Sequence, residues 1–83
     1  MALREIKQPV EVQARTIDGK PVPMQVMWNR KYYSVAKVDR SRTRKIKKRR
    51  IEEITLTVFT WPQMILEYDY QTRAWQLLAV EEL

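Results

Sequence analysis

Ile54, Leu56 and Val58 alternate with Thr55 and Thr57, and this period of two is the pattern that most narrows what the chain can become. Successive side chains of a strand point to opposite faces, so strict alternation marks a strand with one buried face. The pattern recurs. Val10, Val12 and Ala14 alternate with Glu11, Gln13 and Arg15. Met24, Val26 and Trp28 are expected on one face of a second strand, and residues 31–38, rich in β-branched and aromatic side chains, run back as a third. Asp18-Gly19 holds the only glycine of the chain and specifies a tight turn, because glycine takes positive φ without steric cost. Asn29-Arg30 supplies a two-residue hairpin turn, and Pro21 and Pro23 argue for a sheet edge, since proline cannot donate to a ladder. Further strands are expected at residues 51–60, 63–69 and 74–80, with a polar turn at 70–73. Residues 1–8 show no period and read as a loose lead-in.

Six short strands in series, joined mostly by tight turns, predict an all-β domain: an antiparallel meander curled into a small open barrel or sandwich. At 83 residues the chain is a single domain, residues 1–83, with a compact core built from bulky side chains. Its three Trp, four Tyr and four Met supply that bulk, and with no Cys no disulfide can reinforce it.

Residues 40–50 interrupt the alternation of apolar side chains. They contain Arg40, Arg42, Arg44, Lys45, Lys47, Lys48, Arg49 and Arg50, eight cations with no acid among them. The whole chain has 16 Lys plus Arg against 10 Asp plus Glu, so without this run eight cations face ten carboxylates. The excess positive charge is therefore local, not a property of the whole surface. A helix here is disfavoured because Ile46, Ile51 and Ile54 form no i, i+3, i+4 stripe. The run is expected to be a loop between the third and fourth strands.

Composition removes most catalytic chemistry. There is no His and no Cys, hence no imidazole- or thiolate-based nucleophile or metal site, and a lone glycine cannot build a phosphate-cradling loop. Glu67 and Asp69 share a strand face in a spacing that a divalent cation could use, and are expected to be its solvated side instead. The chain is read as a non-enzyme that needs no cofactor and no metal.

A dense, single-signed cationic run suits a polyanion, and nucleic acid is the commonest one. Contact of about five of the eight cations with duplex phosphates predicts a slope of log affinity against log salt near about −4 to −5. With no rigid reading element in view, the expected binding is non-specific. Arg30 and Lys31 would add charge, and Tyr33, expected to look outward beside the basic run, is the candidate aromatic contact. Trp28 and Trp75 lie in phase with apolar faces and are assigned to the core. A membrane surface is disfavoured, since Ile46 is the single apolar side chain in the run, and no apolar stretch approaches the roughly 20 residues of a membrane-spanning helix. A charged N-terminus without an apolar segment gives a cytoplasmic expectation. The alternative to nucleic acid is a protein-interaction module that docks on an acidic partner.

The segment from Asp18-Gly19-Lys20-Pro21 through the Trp28 and Tyr32 hairpin to Val38, together with Tyr68-Asp69-Tyr70 and the later Trp75-Gln76-Leu77, resembles a small bacterial domain of unknown function. That domain occurs alone or appended to genes of Y-family (UmuC-like) translesion DNA polymerases. The resemblance implies an accessory module in DNA-damage tolerance or repair that contacts DNA or a polymerase, and it assigns no catalytic residue.

Overall fold

The computed structural model describes residues 2–82, and these form seven antiparallel strands with no helix among them. The strands are β1 (Ala2–Pro9), β2 (Glu11–Ile17), β3 (Lys20–Trp28), β4 (Lys31–Ile46), β5 (Arg49–Val58), β6 (Trp61–Asp69) and β7 (Trp75–Glu82). They build one sheet in the order β1-β7-β6-β5-β4-β3-β2. From β2 to β7 the chain is a plain meander, in which every neighbour in sequence is a neighbour in space.

The seventh strand corrects the expectation of a loose lead-in. β1 ladders onto β7 from Ala2↔Glu82 to Pro9↔Gln76. Its alternation was invisible because only Ile6 of the eight residues is even half-buried, and a bulge between Glu5 and Gln8, with Lys7 at φ 52°, breaks the phase.

β1 and β2 are the two margins of the sheet, yet a single residue, Val10, separates them in sequence. The covalent chain therefore draws the margins together although no ladder closes the sheet. Two hydrogen bonds secure the corner: the Val10 amide donates to the Trp75 carbonyl at 3.2 Å, and Trp28 Nε1 donates to Gln8 Oε1 at 3.1 Å. The curled sheet encloses a core in which Val26, Ile54, Leu56, Met64, Leu66, Leu77 and Val80 are fully buried. The rings of Trp28 and Trp61 meet edge to face across it at 6.3 Å.

The two-residue turns are where the sequence placed them. Asp18 and Gly19 take φ of 53° and 76°, and Asn29 and Arg30 take 52° and 63°, the left-handed pair that matches the twist of flanking strands. β3 departs in its phase. Pro21, Pro23, Val26 and Trp28 are buried whereas Met24 is 46% exposed, because the β2–β3 register shifts between Gln13 and Ala14 and turns Met24 outward.

β4 is the longest strand and the one that organises the site. It pairs with β3 only from Lys31 to Ser34, and with β5 from Val35 to Ile46. Bulges between Val35 and Lys37 and between Val38 and Arg40 raise its twist and bend it away from β3. Beyond Ser34, among the described residues, the side of β4 that faces β3 carries no ladder.

Candidate nucleic-acid interface

The basic run is not a loop. Residues 40–46 continue β4, Lys47 and Lys48 make a two-residue turn, and Arg49 and Arg50 open β5, with Lys45 opposite Arg50 and Ile46 opposite Arg49. The expectation failed because it sought an apolar face. The alternation is there, in polar residues: Arg40, Arg42 and Arg44 point outward, and Ser41 and Thr43 point to the inner side of the sheet.

What holds those inward hydroxyls is a buried carboxylate. Glu52, opposite Thr43 on β5, is fully buried and accepts three hydrogen bonds: from Ser41 Oγ at 2.5 Å, Thr43 Oγ1 at 2.6 Å and the Tyr70 hydroxyl at 2.9 Å. Burial raises its pKa, but the three donors outweigh burial and hold it below the ordinary 4.5. Tyr70 is moved the other way: burial and its bond to the Glu52 carboxylate push the phenol from 10.0 up to about 12. Charge-assisted hydrogen bonds of this kind are the strong ones, so the base of the β4–β5 hairpin is fastened by polar contacts where an ordinary sheet would use apolar packing.

Of the eight cations, four have partners. Arg42 and Arg44 reach the two oxygens of Glu53 at 3.3 and 3.1 Å, and Arg49 pairs with Asp69. The Arg50 guanidinium lies 4.5 Å from the centroid of the Tyr70 ring. Among the described residues Arg40, Lys45, Lys47 and Lys48 have no counter-charge. Three of these four sit at the hairpin end, with Arg50 beside them.

The arrangement carries two local costs. Lys45 stands directly opposite Arg50, and like charges in a cross-strand pair are destabilising. Lys47 takes φ 57°, a left-handed conformation that costs a side-chain-bearing residue about 1–2 kcal/mol. The turns at Asp18-Gly19 and Asn29-Arg30 likewise place both of their residues in left-handed conformations, so Lys47 shares this cost with Asp18, Asn29 and Arg30.

Three other expectations change. Tyr33 does not look outward: it is 9% exposed, opposite the core residue Val26, and packs on Trp28 at 6.0 Å. Its neighbour Tyr32, 66% exposed, is the outward ring. Arg30 and Lys31 are exposed but lie at the far end of β4 from Lys47 and Lys48, so they add nothing to the cationic tip. Asp69 is not solvated. It is buried, pairs with Arg49, and accepts the backbone amides of Gln71 and Thr72 at 2.8 and 3.4 Å. The Arg49 bond, against the opposing effect of burial, holds its pKa below the ordinary 3.8. Glu67, two residues earlier, is half-buried, and no group of three or more acids that could hold a metal occurs among the described residues.

Glu52 and Tyr70 are the site residues that sequence reasoning missed. Their signal was the Arg-Ser-Arg-Thr-Arg alternation itself, which demands a polar acceptor on the inner side of the neighbouring strand.

No protein-family model matches this chain, and no curated protein and no solved structure matches it either. No helix among the described residues is long and apolar enough to cross a membrane.

Proposed function

We propose that this chain is a non-catalytic nucleic-acid-binding module whose β4–β5 hairpin end grips phosphates without reading sequence. One observation carries the reading: Lys45, Lys47 and Lys48 sit without a counter-charge at the end of an ordered two-stranded ribbon, where Lys45 opposite Arg50 and the left-handed Lys47 each bear a local cost. A polyanion offsets that cost by supplying the missing counter-charge. The ribbon is held from below by Glu52, so the cations are presented on a fixed frame, which lowers the ordering cost of binding. The resemblance to domains carried beside Y-family polymerases favours DNA as the polymer and damage tolerance as the setting.

Contact of these three lysines and the adjacent Arg50 with phosphates gives a slope of log affinity against log salt near about −3.6 on duplex DNA. The test is fluorescence anisotropy with single- and double-stranded DNA and RNA over a salt series, comparing wild type with the triple variant Lys45→Ser, Lys47→Ser, Lys48→Ser. The expected outcome is sequence-independent binding that the variant loses at low salt. Wild-type binding that is absent at low salt, or that the triple variant retains in full, removes the proposal.

A further inference from the structure

The open side of β4 borders a cleft of about 390 Å³. Ile17, Pro21 and Val22 of the β2–β3 hairpin, with Asp18 and Lys20 at its turn, form one wall, and Val38, Ser41 and Ile54 form the other. Ile17 is 52% and Val38 38% exposed, although Val38 lies opposite the buried Leu56 and so belongs to the core-facing side of β4. The cleft exists because the bulged β4 bends away from β3, leaving a core-facing stretch with no strand over it.

The two strands that flank the gap differ in what they offer. Pro21 and Pro23 fall two apart in β3, so the amides they lack belong to one side of the strand, and with β2 laddered along the other, that side faces β4. β3 is thereby blunted. β4 contains no proline, and every second amide and carbonyl between residues 38 and 44 points into the gap. The outer face along this edge carries Arg40, Arg42 and Arg44, three cations against the single carboxylate of Glu53 that Arg42 and Arg44 share. A cationic edge by itself deters chance pairing. The apolar cleft behind it is what such protection does not require.

We propose that β4 takes an extended segment of an acidic partner protein as an added strand, in which acidic side chains on the outer face meet Arg40, Arg42 and Arg44, and apolar side chains at alternate positions fill the cleft. Charge complementarity selects this occupant. A second copy pairing through its own β4 would set Arg against Arg, which is repulsive. This site is separate from the lysine tip assigned to nucleic acid, and either can fail without the other.

The probe is a synthetic peptide of about eight residues, the length of an ordinary strand, in which Glu alternates with Val. Its control has the same composition with all Glu in one block. Labelled-peptide anisotropy measures affinity, and hydrogen exchange locates the contact. The alternating peptide should bind at least about tenfold more tightly than the block control and slow exchange at residues 38–44. Val38→Asp and, independently, Ile17→Asp, both at exposed wall positions, should each weaken it about tenfold while leaving the salt-dependent binding of DNA in place. The triple lysine-to-serine variant should keep the peptide. Equal affinity for the block control, protection outside β4, or competition by an oligonucleotide that protects the same β4 amides would each overturn the proposal.

Discussion

The two ends of β4 are built on opposite plans. At the Lys31 end the strand is laddered to β3, Tyr33 is buried against Trp28, and the turn before it places Asn29 and Arg30 in left-handed conformations. At the Ile46 end it is laddered to β5 instead, its inward positions are Ser41 and Thr43, and its turn is Lys47-Lys48. One end is held by apolar contact and the other by a carboxylate with three hydroxyl donors. An unpaired charge buried in apolar surroundings is costly, and at the apolar end Arg30 and Lys31 accordingly stay exposed at the surface. The difference teaches that the inner side of a strand can be held by a satisfied carboxylate as well as by apolar packing, and that the cationic tip stands above the polar kind.

If that division of labour is right, the largest effect comes from the apolar end. Tyr33→Ala should destabilise the domain by about 3 kcal/mol, as truncation of buried aromatics does, and leave the salt slope of DNA binding unchanged. Denaturant unfolding together with anisotropy checks it. A changed slope in a still-folded variant would show that the two ends are coupled.

Next in size is the polar end. Glu52→Gln removes the charge that three hydroxyls share and should cost about 2 kcal/mol near neutral pH. The sign with pH follows from the lowered pKa. A carboxyl that is more acidic in the folded state than its unfolded value of 4.5 stabilises the fold above that pH, and the contribution is lost as pH falls through the folded value. Wild type and variant should therefore differ most above about pH 4.5 and converge in acid, when unfolding free energy is measured by denaturant at each pH. Parallel curves would remove the ionised Glu52 from the account.

The contrast also explains what was legible in the sequence. The apolar alternation of Ile54, Leu56 and Val58 and the turns at Asp18-Gly19 and Asn29-Arg30 announced the meander, because apolar burial and positive φ each leave a residue-type signature. Ser41 and Thr43 left none of that kind. Their inward side is satisfied by a residue on another strand, so the alternation became meaningful only beside Glu52. Tyr32 and Tyr33 alternate by rule, but which of them faces inward depends on the β3 register, and the shift that exposes Met24 is a property of pairing and not of local sequence. β1 was unreadable for the same reason, since a margin strand with mostly exposed side chains needs no apolar period.

A smaller effect separates the members of the polar base. Tyr70→Phe deletes one of the three donors to Glu52 and should cost about 1 kcal/mol. In wild type the raised phenol pKa means that the neutral form is favoured by folding: its contribution is intact below the ordinary 10.0 and is lost as pH rises through about 12. The near-ultraviolet phenolate absorbance of wild type should therefore contain a component near pH 12 that the variant lacks. Titration of every tyrosine by pH 10 in a folded protein would contradict the Glu52–Tyr70 bond.

The smallest stability effect carries the sharpest statement about binding. Glu53 accepts Arg42 and Arg44 on the outer face, where pairs open to solvent contribute little, so Glu53→Gln should shift stability by no more than about 0.5 kcal/mol. It should nevertheless change the affinity for DNA. Releasing two arginines from their carboxylate raises the positive potential along β4 and should tighten DNA by about twofold to fivefold at low salt, an advantage that fades as salt screens it. A tip-only interface predicts a smaller gain than one that also uses Arg42 and Arg44, since the lysines at the turn keep their charge in both cases. Comparing the gain in Glu53→Gln with that in a double variant that also carries Arg42→Gln therefore measures how far along β4 the nucleic acid extends. If the second substitution cancels the gain, phosphates reach the strand edge; if it leaves the gain intact, contact ends at the turn and the edge stays open for a peptide strand.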